Sequence, residues 1–268
     1  MTVNKKKFTL LVLSFLTVCF LLVKPVLAIK EIEDYLFQLE KYREEYQDFS
    51  QARDKYLKYK TLKSKNQAVE KTNNLLVRRG RTLRAYFLAL IWKLRSTPGI
   101  GGEDYRQRLV SLLDKEVNWL ANQNEQLKNL PHPALEDLFV ISDRFEDKET
   151  FFQQLSYRAL VIILTGKVRH LHSESVAITN LLADQISQVP EATKAGELRN
   201  WLRELENKNY LAQKEIEIAE SQQEELTKKK EPQLSKIYFQ IKLNLERSKE
   251  YLNQAALFEK EILDLLKK

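Results

Sequence analysis

Apolar positions recur every three or four residues along most of this chain and almost nowhere alternate one by one, which is the period of α-helices rather than strands. The C-terminal stretch shows it most plainly. From Leu234 the series Leu234, Tyr238, Ile241, Leu245, Ser248, Leu252, Ala255, Glu259, Ile262 and Leu266 steps by four and three, the seam spacing of a coiled coil. The segment before it repeats that spacing through Leu198, Leu202, Leu205, Asn209, Ala212, Ile216, Ala219, Gln223 and Leu226. A link of a couple of residues around Glu231 and Pro232 makes the two segments antiparallel neighbours, an αα-hairpin. Residues 197 to 231 carry 16 charged side chains among 35, so one side of that hairpin is expected to be wet.

Glycine and proline, six of each, gather mainly in four places: STPGIGG at 96 to 102, LPHP at 130 to 133, VPEATKAG at 189 to 196 and KKKEP at 228 to 232. These turn signals delimit helices over about 31–95, 103–129, 134–189, 193–230 and 233–268. Gly80 is a potential interruption of the first. Asp143 to Glu149 is a potential division of the third, with Ser142 or Asp147 as its cap. The expected fold is all-α, a long-helix antiparallel bundle ending in a coiled-coil αα-hairpin.

Two apolar runs stand out within that pattern. Residues 150 to 190 hold only five charged side chains among 41, and 159 to 164 reads ALVIIL. A helix so apolar all round must be covered on several sides, which marks it as the buried spine, with Phe151, Phe152, Leu155, Leu160, Ile163, Ile178, Leu181, Leu182 and Ile186 inside. AYFLALIW at 85 to 92 is the complementary run, and both are too short to cross a bilayer. The first helix carries a tyrosine-rich stripe, Ile32, Leu36, Leu39, Tyr42, Tyr46, Phe49, Ala52, Tyr56 and Tyr59, read as a packing seam, with glycan or peptide contact as the functional alternative.

Upstream, Lys5 to Lys7 precede the apolar run Phe8 to Val23, and Val26-Leu27-Ala28 offers a cleavage site. Residues 1–28 are therefore expected to be a signal peptide cleaved after Ala28 or an uncleaved signal anchor with its N-terminus inside, and residues 29–268 a single elongated helical domain exported from the cytosol. Loss of Lys5, Lys6, Lys7 and Lys24 lowers the formal charge from +7 to +3, so the basic balance is mostly the leader's, and nucleic acid is not an expected partner. Cys19 is the only cysteine and lies in that leader. The exported portion thus has no disulfide, no thiolate nucleophile and no cysteine metal ligand.

One local charge asymmetry survives. From Lys71 to Gly102 there are seven basic residues and no acid. Leu83, Phe87, Leu90, Ile91 and Leu94 share one helical face, with Arg81, Arg84 and Arg95 toward the other. Pairing within the molecule, for example with Glu136, Asp137, Asp143, Glu146, Asp147 and Glu149, is the structural expectation. The functional one is contact with anionic lipid or wall polymer through Arg78, Arg79, Arg81, Arg84, Lys93 and Arg95.

Catalytic chemistry has little footing. Among His132, His170 and His172, only His170 and Glu174 share a helical face for a metal, and no metal or cofactor is expected. GxSxG, P-loop, HExxH and dinucleotide patterns do not occur, and GIGGE at 100 to 104 lacks the Lys-Ser/Thr of a phosphate loop. The leading expectation is a non-enzymatic structural or protein-interaction module of the cell envelope, binding a protein partner or itself through its coiled-coil faces. The alternatives are a membrane-active or anionic-surface-binding protein using residues 71–102, and an extracytoplasmic ligand-sensing bundle that holds a small molecule near Tyr86, Trp92, Trp119 or Tyr157.

Overall fold

A computed structural model describes residues 27–267 apart from 131, 132 and 231. The expected leader, residues 1–28 with Cys19, lies outside the described residues except for Leu27 and Ala28, and so does His132. The described chain is all-helical: α1 Leu27–Tyr59, α2 Leu62–Ser96, α3 Glu103–Lys128, α4 Leu135–Ser187, α5 Ala192–Gln223 with a 3-10 turn Glu224–Thr227, and α6 Gln233–Lys267. Among the described residues no helix is long and apolar enough to cross a membrane.

The expected first helix, 31–95, is two helices. The break falls at Lys60 and Thr61, twenty residues before Gly80. Thr61 and Ser64 form a reciprocal capping box, the Ser64 N–H donating to the Thr61 hydroxyl and the Thr61 N–H to the Ser64 hydroxyl, each at 3.1 Å. Lys60 turns the chain with φ +49°, a left-handed conformation that costs a side-chain-bearing residue about 1 kcal/mol. Gly80 instead sits inside α2 because Asn124 of α3 lies against its bare backbone, where the carboxamide donates to the Val77 carbonyl at 3.1 Å and accepts from the Arg81 N–H at 3.2 Å. Nor does α4 divide at Asp143 to Glu149. Its 53 residues run unbroken, roughly 80 Å at about 1.5 Å per residue.

That length makes α4 the shared member of two bundles. Its first half packs with α2 and α3 in one core that contains Phe87, Leu90, Ile91 and Leu94 together with Phe152, Leu155, Ala159, Ile162 and Ile163. The two apolar runs do cover each other, and Phe87 meets Phe152 edge to face at 5.3 Å. From Val161 onward α4 packs with α5 and α6 in two further clusters, one around Ile216 and Ile241 and one around Leu205 and Ile262. Each buried side chain of this size contributes about 1.5–3 kcal/mol. The spine is covered all round only in its middle: Leu181, expected inside, is exposed. Between the bundles the loop after α2 crosses α4 at Gly166, so closely that a methyl on Gly99 would come within 2.3 Å of the Gly166 carbonyl. Arg169 fastens this crossing, donating to the Gly99 carbonyl at 3.1 Å and pairing with Glu220 of α5.

Helices α5 and α6 are antiparallel along the expected seam, Leu198 and Leu205 lying with Ala255 and Ile262, Ala219 and Leu226 with Leu234 and Ile237. Three of its polar members, Asn209, Ser248 and Glu259, are buried and bonded. Ser175 donates to Glu259 at 2.8 Å, Asn209 to Thr179 at 2.8 Å, Ser248 to the Ala212 carbonyl at 2.9 Å, and the His172 ring to the Asn209 carbonyl at 3.1 Å.

Candidate functional site

The basic segment comes first, because the sequence singled it out. Arg84 and Arg95 are exposed, while Arg78, Arg79, Arg81 and Lys93 are half-buried. At 100° per residue only Arg81, Arg84 and Arg95 share a face, and Arg79 and Lys93 point elsewhere. Helix α2 is wrapped by α1, α3 and α4, so the six do not form one patch. Arg79 lies over the Phe145 ring at 5.3 Å and Lys93 over Trp92 at 4.7 Å.

The expected internal pairing occurs, through acids other than the six given as examples. Lys71 reaches back to α1, 2.6 Å from Asp48 and 3.6 Å from Glu45, and Arg95 reaches Asp114 of α3 at 3.5 Å. The Asp48 hydrogen bond holds the Lys71 ammonium above its ordinary range. Asp137 is occupied differently, accepting from the Ala134 N–H at 3.0 Å at the start of α4.

The segment's functional geometry lies on its other side, in a cleft of about 490 Å³ between α1, α2 and α4. Helix α1 contributes Tyr35, Leu39 and Tyr42, α2 contributes Arg79, Thr82, Leu83 and Tyr86, and α4 contributes Glu149, Phe152, Gln153, Ser156, Tyr157 and Leu160. These meet because α1 lies antiparallel on α2, Thr82 donating to the Gln38 carbonyl at 3.0 Å and Tyr35 resting on Tyr86 at 5.2 Å. The aromatic end extends to α6, where Tyr238 packs on Tyr157 at 4.8 Å. Burial raises the Tyr86 phenol, opposed by its hydrogen bond with Ser156 and reinforced by the Tyr35, Tyr238 and Tyr157 hydroxyls. Arg79, Tyr42 and Glu149 form the opposite, polar end. The cleft therefore offers flat apolar walls, hydroxyls at one end, and one cation and one anion at the other.

Of the four aromatic residues named from sequence as ligand contacts, Tyr86 and Tyr157 line this cleft. Trp119 is packed edge to face on Phe145 and Phe152 at 5.3 and 5.9 Å, and Trp92 does not line the cleft. Arg79 and Glu149, read as a surface cation and its pairing acid, are brought to the same lip. Tyr35 was passed over in reading the first-helix stripe, although its four-residue spacing to Leu39 and seven-residue spacing to Tyr42 put it on that face. His170 and Glu174 do meet, at 3.9 Å, and burial lowers the His172 ring, but no group of three metal-ligating side chains exists among the described residues. No protein-family model, no curated protein and no solved structure matches the chain.

Proposed function

We propose that the chain is an exported, non-catalytic interaction module of the cell envelope whose recognition element is the tyrosine-lined cleft. The leader supports export, and the missing nucleophile and phosphate motifs support a role without catalysis. The observation that carries recognition is the convergence of Tyr35, Tyr86 and Tyr157 from three helices on one cleft, with Tyr238 of a fourth packed on Tyr157. Tyrosines give large, stiff contact area with a hydroxyl to spare, the composition of surfaces that bind other proteins. The volume suits an aromatic or long aliphatic side chain of a protein partner, oriented by Arg79 and Glu149. The continuous α4 and the coiled-coil hairpin serve as the rigid frame.

A photoactivatable residue at Gln153, introduced into the native cell envelope, should give a discrete adduct with one partner protein, lost when Tyr86 and Tyr157 are both changed to alanine. The same label at Lys260 should give none. No adduct from Gln153, or the same adduct from both positions, refutes the reading. The charged lip also favours a small zwitterionic ligand as a second reading, which a ligand-dependent rise in Tm would support.

A further inference from the structure

The turn between α1 and α2 gathers features that the cleft leaves unused. From Lys55 to Lys65 the chain carries Lys55, Lys58, Lys60, Lys63 and Lys65 and no acid. All five are exposed, and none forms an ion pair among the described residues. Between them stand Leu57, Tyr59 and Leu62, which are 60, 57 and 75% exposed. The Lys58 ammonium lies 5.1 Å over the Tyr59 ring. Lys60 occupies the left-handed position at the end of α1 where glycine is the ordinary residue.

This turn is also a tip. Between Tyr46 and Leu75 only Ser64 and Ala68 are buried, and the core of the first bundle begins at Leu76. The paired helices therefore carry the turn about 20 Å beyond that core.

We propose that this tip docks into the headgroup layer of an anionic lipid bilayer, the five lysines meeting lipid phosphates while Leu57, Tyr59 and Leu62 enter the acyl boundary. Two observations select lipid over other anions. A nucleic acid or wall polymer would use the lysines and could stack on Tyr59, but would gain nothing from the exposed Leu57 and Leu62. A bilayer uses both, since lysine stems lie along apolar surface with their ammonium groups at headgroup level, where tyrosine also settles. The tip is built from residues outside the 71–102 segment and outside the cleft, so it stands apart from the cleft's role.

The test uses the full chain carrying Cys19→Ser, with Leu62→Cys labelled by an environment-sensitive dye. Vesicles of phosphatidylglycerol and phosphatidylcholine should shift its emission to the blue and shield it from iodide, while phosphatidylcholine alone should do neither. A dye placed by Lys260→Cys should not respond. Lys60→Gln with Lys63→Gln should weaken partitioning about thirtyfold, roughly fivefold per lysine. Leu57→Ser should weaken it as well, with thermal unfolding unchanged. The proposal is overturned by a silent tip dye, by equal responses to the two vesicles, or by equal responses from the tip and Lys260. Sensitivity to the lysines with indifference to Leu57→Ser overturns it too, as the pattern of a polyanion or acidic protein partner.

Discussion

Gly80→Ala sets a helix-propensity gain against the loss of a buried polar contact. In an exposed helix interior, alanine for glycine stabilises by about 1 kcal/mol, because the unfolded chain loses freedom and the helix gains a better former. At this position a methyl group would come within 2.2 Å of the Asn124 carboxamide nitrogen and 2.9 Å of its Cγ. Asn124 is buried and bonds the Val77 carbonyl and the Arg81 N–H. To make room the carboxamide must swing away, losing two hydrogen bonds of about 1 kcal/mol each and stranding a buried amide at about 1–3 kcal/mol. The polar loss, about 3–5 kcal/mol in all, exceeds the helix gain of about 1 kcal/mol, so a net destabilisation of about 2–4 kcal/mol is expected.

Urea unfolding followed by circular dichroism measures this directly. A second comparison isolates the cause. In an Asn124→Ala background the obstacle is gone, so adding Gly80→Ala should be neutral or stabilising by up to about 1 kcal/mol, giving a coupling of about 2–5 kcal/mol between the sites. Should Gly80→Ala stabilise the otherwise native chain, the glycine is only a weak point of α2 and its close approach to α3 is not what places it there.

Two further outcomes are expected. Burial raises the Glu259 carboxyl, with the Ser175 hydrogen bond opposing, so this group stabilises the fold fully below about pH 4.5 and loses that contribution as pH rises through its elevated folded value. Glu259→Gln keeps an acceptor for Ser175 and should raise stability at pH 7 by on the order of 1 kcal/mol, the gain vanishing below about pH 4.5; a gain independent of pH would contradict the assignment. Helix α1 has no buried residue among those described, whereas α4 has Leu155, Ala159 and Val161 at no exposure. Hydrogen exchange of α1 amides should therefore be orders of magnitude faster than in the middle of α4, and equal protection would show that α1 is held by more than its half-buried stripe.

Helix class, the α5–α6 seam and the meeting of the two apolar runs were all legible, because period and turn residues act locally or through obvious demand for burial. Predicted starts and ends agree within a residue or two for α3, α4 and α6. Gly80 misled because propensity alone cannot distinguish a glycine that ends a helix from one that lets another helix approach; the difference is Asn124, 44 residues away. Thr61 and Ser64 announce a cap only once their reciprocal bonds are seen, since the sequence offers serine in place of the usual Glu or Gln. The basic segment was visible as composition, yet its division into a cleft residue, Arg79, and an outward face, Arg81, Arg84 and Arg95, needed the positions of α1 and α4. No local pattern could bring Tyr35, Tyr86, Tyr157 and Tyr238 together, because that depends on three separate helix pairings.

The last of those pairings ties the cleft to the second bundle. Tyr238 reaches Tyr157 only in the register that α6 holds against α4, and sliding one helix by a single turn would displace it about 5.4 Å, more than the 4.8 Å that now separates the rings. Leucine and alanine seams tolerate such slips, since one apolar rung resembles the next. Polar rungs do not. Ser175 must meet Glu259, Thr179 must meet Asn209, and Ser248 must meet the Ala212 carbonyl, and any slip leaves these groups buried without partners at about 1–3 kcal/mol apiece. The interruptions that weaken the seam as a coiled coil are thus what fixes its register, and through α6 they hold the aromatic wall of a cleft in the other bundle in place.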